Sequence, residues 1–250
     1  MTPWALTYFS PDYYERIGRE SLASLAKHWP GQVVAYYEGV KPEEVYPNVE
    51  YRDLLEVSGY TRFIGWAKQV PFLNGFLPDG SHSYHYDVVR FVRRIYAMTD
   101  KPEGRFYVVD ADVILSKPIP VDALNGWLDG KLGALMFREH IGSPVYYPEL
   151  SVSGWNMEHP AAGKFLSAYR AVHDNGVFLR MTQGYHDAWI LYWLLHEMGV
   201  RDQFTDWVNG AFGEGDYKSH VLPVTPLAEY MVHLKGPKRK KQHLSNQEAA

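Results

Sequence analysis

The chain has 250 residues, a net charge of −4, 46% hydrophobic residues and 15% aromatics, enough for one sizeable core and too apolar for a disordered chain. It contains no cysteine, which excludes disulfides and thiolate metal sites and leaves oxygen or imidazole for any metal. The acidic balance excludes a surface built as a whole to grip polyanions.

From the start, "MTPWALTYFS" lacks a basic region followed by an apolar stretch, so no signal peptide is read. No run of eighteen apolar residues occurs, so no membrane span is expected, and a cytoplasmic protein is the simplest expectation. "WALTYF" (4–9) reads as a short buried strand, and Ser10-Pro11-Asp12 supplies helix-start chemistry. Leu22, Leu25, Ala26 and Trp29 follow at helical spacing until Pro30-Gly31, and "QVVAYYEG" (32–39) reads as a second strand. Strand, helix, strand predicts a parallel sheet in an α/β domain.

Residues 41–83, rich in Pro, Gly and Tyr, read as loops and short pieces. A helix is expected from Tyr84, with Val88, Val92, Ile95 and Tyr96 on its apolar face. "KPEG" breaks it, and "RFYVV" (105–109) is a strand leading into Asp110-Ala111-Asp112. A short helix ending near Gly130, a strand at 132–137, a helix at 160–173 and an apolar helix at 187–198 complete the domain. One domain over 1–240 is expected, followed by a polar, flexible tail at 241–250. The basic run "KGPKRKK" (235–241) reads either as part of a solvated tail or as a phosphate clamp.

A D-x-D pair alone is weak, since chance yields roughly one in a chain with this much aspartate. Its position is informative. Side chains alternate on a strand, so Asp110 and Asp112 are expected on one side and Ala111 on the other. The carboxyl end of a parallel strand is where open α/β sheets bind ligands. Two close carboxylates repel unless a cation or proton intervenes, and oxygen ligands suit Mg²⁺ or Mn²⁺. A solvated pair capping the next turn is the plainer alternative.

Two enzyme classes place D-x-D after an apolar strand. Phosphatases and phosphotransferases of the haloacid-dehalogenase type would use Asp110 as nucleophile, but expect the motif on the first strand. They also expect a downstream acidic pair, and "GEGDYKSHV" offers Asp216 without a second Asp four residues on. The order of strand-helix-strand, central D-x-D and C-terminal "HLKGPKR" (233–239) resembles GT-A nucleotide-sugar glycosyltransferases, particularly the glycogenin and galactosyltransferase-like family 8.

That resemblance implies a Rossmann-like nucleotide-binding half fused to an acceptor-binding half around a mainly parallel central sheet. It implies a metal held by Asp110, Asp112 and His233, with imidazole favouring Mn²⁺ over Mg²⁺. Thr7, Tyr8 and Phe9 would meet the nucleotide base, and Arg90, Ala111, Ser153 and Gly154 would touch the donor. Lys235, Gly236, Lys238 and Arg239 would close over its diphosphate. The implied activity is transfer from a UDP-sugar to an acceptor hydroxyl with retention. Asp187 would stabilise the sugar's developing positive charge, or simply cap "AWILYWLL". In an inverting enzyme, Asp187 or Glu139 would be the base. A glycan, a small molecule, a protein or a modified nucleic acid such as a hydroxymethylated DNA base could serve as acceptor. A non-catalytic nucleotide- or glycan-binding relative is the third class.

Overall fold

In this computed structural model, residues 1–138, 147–182, 184–208, 220–236, 240 and 243 are described. A seven-stranded sheet forms the centre. Strands β1 (Trp4–Tyr8), β2 (Val33–Tyr37), β3 (Val49–Asp53) and β6 (Arg105–Val109) make its parallel half, in the order β3-β2-β1-β6. Strand β9 (Glu149–Asn156) runs antiparallel to both β6 and β8 (Gly133–Met136), and β10 (Phe204–Asp206) adds parallel to β8 at the far edge. The expected mainly parallel α/β architecture is therefore present.

The centre of the sheet is buried on both faces because β1, β2, β6 and β8 are apolar at consecutive positions. In β6, Phe106 and Val108 belong to one core, while Tyr107 and Val109 belong to the other. Helices α2 (Arg19–His28) and α5 (Val121–Leu128) cover one face through Leu22, Leu25, Leu124 and Leu128. Helices α3 (Tyr60–Lys68), α4 (Val88–Asp100), α6 (Ala162–Asp174) and α7 (Asp187–Glu197) cover the other. The Ser10 side chain accepts a hydrogen bond from the Tyr13 amide. It caps α1 (Pro11–Tyr13), which continues through a π turn (Tyr14–Gly18) into α2.

Two local expectations are corrected. The helix does not begin at Tyr84. Tyr84 lies in strand β5 (His82–Asp87), paired antiparallel with β4 (Asn74–Phe76), and α4 starts at Val88 with Asp87 as its cap. The alternation of "SHSYHYD" with aromatic residues favours a strand once a partner lies alongside. Residues 41–83 also hold more regular structure than expected, including β3 and the nine-residue α3. Tyr60, Phe63, Ile64 and Ala67 bury one face of that helix at i, i+3, i+4 and i+7, a helical spacing set within a Pro- and Gly-rich segment.

Candidate functional site

The carboxylate pair lies in a turn rather than on a strand. Strand β6 ends at Val109; the Asp110 amide donates to the Ser151 carbonyl at 2.8 Å, and the Val113 amide donates back to the Asp110 carbonyl at 2.9 Å. The chain thus reverses over 110–113 and enters β7 (Val113–Leu115). Strand alternation does not apply across that turn, so the expected reason for the two side chains sharing a side is replaced by turn closure. Ala111 is buried in the core under α2. Strand β11 (Met231–His233) pairs antiparallel with β7, setting His233 opposite Val113. The Leu234 amide then donates to the Asp112 carbonyl at 2.9 Å.

One ligand atom each from Asp110, Asp112 and His233 lies within 4.8 Å of the others. His233 Nε2 is 3.3 Å from Asp112 Oδ1, and its Nδ1 is 2.8 Å from Glu149 Oε1. Tyr13 donates its hydroxyl to Asp112 Oδ2 at 2.8 Å, and the Lys240 ammonium stands 2.7 Å from the same oxygen. Burial would raise the Asp112 carboxyl, but the His233 hydrogen bond and the charges of His233 and Lys240 hold it well below the usual carboxylate range. Burial would likewise lower the His233 imidazole, yet its bonds to Asp112 and Glu149 push it up to about 9. The donor set is two carboxylates and an imidazole, with an ammonium already drawn onto it. Such a set fits a hard or borderline divalent cation.

Arg94 was not singled out in the sequence. It is 6% exposed, on α4 one turn beyond Arg90, and its guanidinium bridges Asp110 Oδ1 and Asp187 Oδ2. The Tyr8 hydroxyl donates to the same Asp110 oxygen, and its ring lies 5.6 Å from the Arg94 guanidinium carbon. Asp187 is buried; desolvation raises its carboxyl to about 6, against the opposing pull of Arg94. The cap of α7 is His186, whose Nδ1 accepts from the Trp189 amide at 3.2 Å. Asp187 bonds its own neighbour, Ala188, through Oδ1 and gives Oδ2 to Arg94.

The remaining expected residues are distributed as follows. Arg90 is exposed, its guanidinium 5.2 Å from the centre of the Tyr84 ring. Thr7 and Phe9 are buried in the sheet and against Tyr14, respectively. Ser153 and Gly154 lie opposite Val108 and Tyr107, deeper in the sheet than Ser151. A side chain on Gly154 would meet the Tyr107 ring at 2.9 Å, which gives this glycine a packing reason. Ser151 and Glu149, on the same strand, are the ones beside the turn. Lys235 pairs with Glu149 at 3.2 Å, and Gly236 follows it with φ +81°. Glu139, Lys238 and Arg239 lie outside the described residues, as does residue 241–250 apart from His243, whose Nε2 is 2.7 Å from Glu20.

Arg94 and Glu149 were legible only in part. Arg94 shares a helix face with Arg90 at i+4, so the pattern could not choose between them. Glu149 is a lone carboxylate at the head of an eight-residue strand that is buried throughout.

Among the described residues, no helix is long and apolar enough to cross a membrane. No family model matches the chain, and no curated protein does. Solved structures do. The glycosyltransferase GlyE of Streptococcus pneumoniae TIGR4 is 13% identical with a TM-score of 0.46, over 82% of this chain and 45% of its own. Mouse xyloside xylosyltransferase 1 is 14% identical with a TM-score of 0.47, over 82% of this chain and 85% of its own. The bifunctional glycosyltransferase WbbM is 12% identical with a TM-score of 0.56, over 94% of this chain and 46% of its own. The chain thus spans about half the length of GlyE and WbbM. Over nearly its whole length it shares its α/β fold with WbbM.

Proposed function

We propose that this protein is a metal-dependent glycosyltransferase that moves a sugar from a UDP-sugar to an acceptor hydroxyl with retention. The observation that carries the reading is the convergence of Asp110, Asp112 and His233 within 4.8 Å at the carboxyl edge of the sheet, on a fold shared with a glycosyltransferase. Asp110, Asp112 and His233 would hold Mn²⁺ or Mg²⁺, which when bound supplies a positive charge to stabilise the leaving diphosphate.

The protein's own groups do the rest. Arg94 fixes Asp110 and Asp187 to one another, so the metal-side and sugar-side carboxylates keep a set separation. Asp187 would orient the sugar and stabilise positive character at the anomeric carbon, and a retaining transfer needs no strong general base. The carboxyl end of β1 would meet the nucleotide base, with Tyr8 as a stacking surface. Lys235, Gly236 and the basic run beyond would close on the diphosphate, Gly236 allowing close backbone approach.

Arg94 and Lys240 already neutralise the two carboxylates, and that observation favours a second reading, a binding module without turnover. Thermal melting with UDP, GDP, ADP, CDP and TDP, with and without Mn²⁺, followed by donor turnover assays, separates the two. A ligand at a hundred times its dissociation constant adds about 2.7 kcal/mol. The expected result is a Mn²⁺-dependent shift with UDP, lost in Asp112→Asn and His233→Ala, and consumption of UDP-sugar. A shift without hydrolysis or transfer points to the binding module. No shift with any nucleotide sinks both.

A further inference from the structure

Glu149 is 3% exposed and collects five partners. Oε1 takes His233 Nδ1 at 2.8 Å and the Ser151 hydroxyl at 3.1 Å. Oε2 takes the Val221 amide at 2.9 Å, Lys235 Nζ at 3.2 Å and Arg138 Nη2 at 3.4 Å. An imidazole presents one nitrogen to a site and leaves the other for a partner, and that partner decides which nitrogen keeps its proton. Here the partner is an anion seated on the central sheet, while His233 belongs to a short strand near the C-terminus.

Glu149 and His233 also fall within 4.8 Å of His220, a second group of three that could hold a metal ion. Two features oppose that use. Both Glu149 oxygens are already occupied, and two cationic side chains sit on Oε2, where they would repel a dication. His233 also has its Nε2 on the Asp112 side and its Nδ1 on Glu149, so it offers one nitrogen to one ion.

We propose that Glu149 is the positioning residue of the cation site, an assignment that rests on the metal-dependent reading above. It holds the His233 Nδ1–H, so that the proton released to solvent when a cation binds is the one on Nε2, whose lone pair then faces the position that Asp110 and Asp112 share. One cation binds per chain, and Glu149 never touches it.

The test is a titration with Mn²⁺ alone, counting free Mn²⁺ by its paramagnetic resonance signal. Wild type, Glu149→Gln, His233→Ala and the double variant are compared, each checked for its folded fraction. Glu149→Gln is expected to weaken binding about 10- to 100-fold, and the double variant to bind no more weakly than His233→Ala. Three results overturn the assignment. The affinity of Glu149→Gln could equal that of wild type. Its loss could recur undiminished without His233. Wild type could bind two ions and the variant one, which would make Glu149 a ligand. Failure of wild type to bind any Mn²⁺ removes the metal site itself, and with it this role. A variant-free measurement guards against misfolding: with Mg²⁺ bound, nitrogen spectra of labelled histidine should place the His233 proton on Nδ1, and a proton on Nε2 sinks the assignment.

Discussion

Arg94 and Arg90 are the same residue type one turn apart, and burial separates their roles. Arg94 is enclosed between Asp110 and Asp187, whereas Arg90 is exposed. Removing one partner of a buried ion pair leaves charge uncompensated, at a cost of about 3–5 kcal/mol, while an exposed substitution usually stays within about 0.5 kcal/mol. Arg94→Met should therefore lower unfolding stability in denaturant by the larger amount and Arg90→Met by the smaller. Equal losses would contradict the placement. Lys240 acts on the same turn from the other side. Its ammonium sits on Asp112, so a dication must displace it. Such a partly exposed pair is worth up to about 1 kcal/mol. Lys240→Ala should tighten Mn²⁺ binding in the absence of nucleotide by about fivefold, measured by the same free-ion titration; a weaker affinity would show that Lys240 assists the cation instead.

At the scale of elements, β9 separates packing from chemistry within eight residues. Its first part, Glu149 and Ser151, borders the carboxylate turn, and its centre, Ser153 and Gly154, lies between β6 and β8. Gly154 faces Tyr107 and Leu128 at distances a Cβ would reduce to 2.9 and 3.0 Å. Overpacking of that kind costs about 1–3 kcal/mol. Gly154→Ala should lower the denaturation midpoint while the folded fraction binds donor as wild type does. A selective loss of donor binding with unchanged stability would instead support the donor contact expected of Gly154. Ser153 and Gly154 are ladder residues paired with Val108 and Tyr107, and strand pairing is a relation between distant segments.

On the scale of the whole molecule, two buried histidines contribute to the loss of stability in acid. Burial lowers the His173 imidazole to about 4 and the His186 imidazole to about 3. Below the ordinary value of about 6.5 the unfolded chain takes up protons at these two positions that the folded chain refuses, so their contribution to stability is full above about 6.5 and falls as pH drops toward 4. For His173 alone the difference amounts to about 3 kcal/mol by pH 4. His173→Phe, which keeps an aromatic ring against Phe178, should flatten the fall in denaturation midpoint between pH 6.5 and 4. An unchanged slope would mean that other groups carry it. Much of this molecule followed from local pattern. The strands at 4–8, 33–37 and 105–109 and the helix cap at Ser10 follow from apolar periodicity and turn chemistry, which act between neighbours in the chain, whereas the cap of the helix at 187–197 is His186 and not the Asp187 that the sequence offered. The D-x-D and His233 could be paired only through motif order. The tertiary structure alone decided that Arg94 rather than Arg90 joins the two carboxylates, that a turn rather than strand alternation gathers Asp110 and Asp112, and that Glu149 backs His233. The Arg94 and Glu149 contacts join segments 16 to 93 residues apart, where burial and charge select one partner among chemically equal candidates, whereas the turn is closed locally by the Val113 amide on the Asp110 carbonyl.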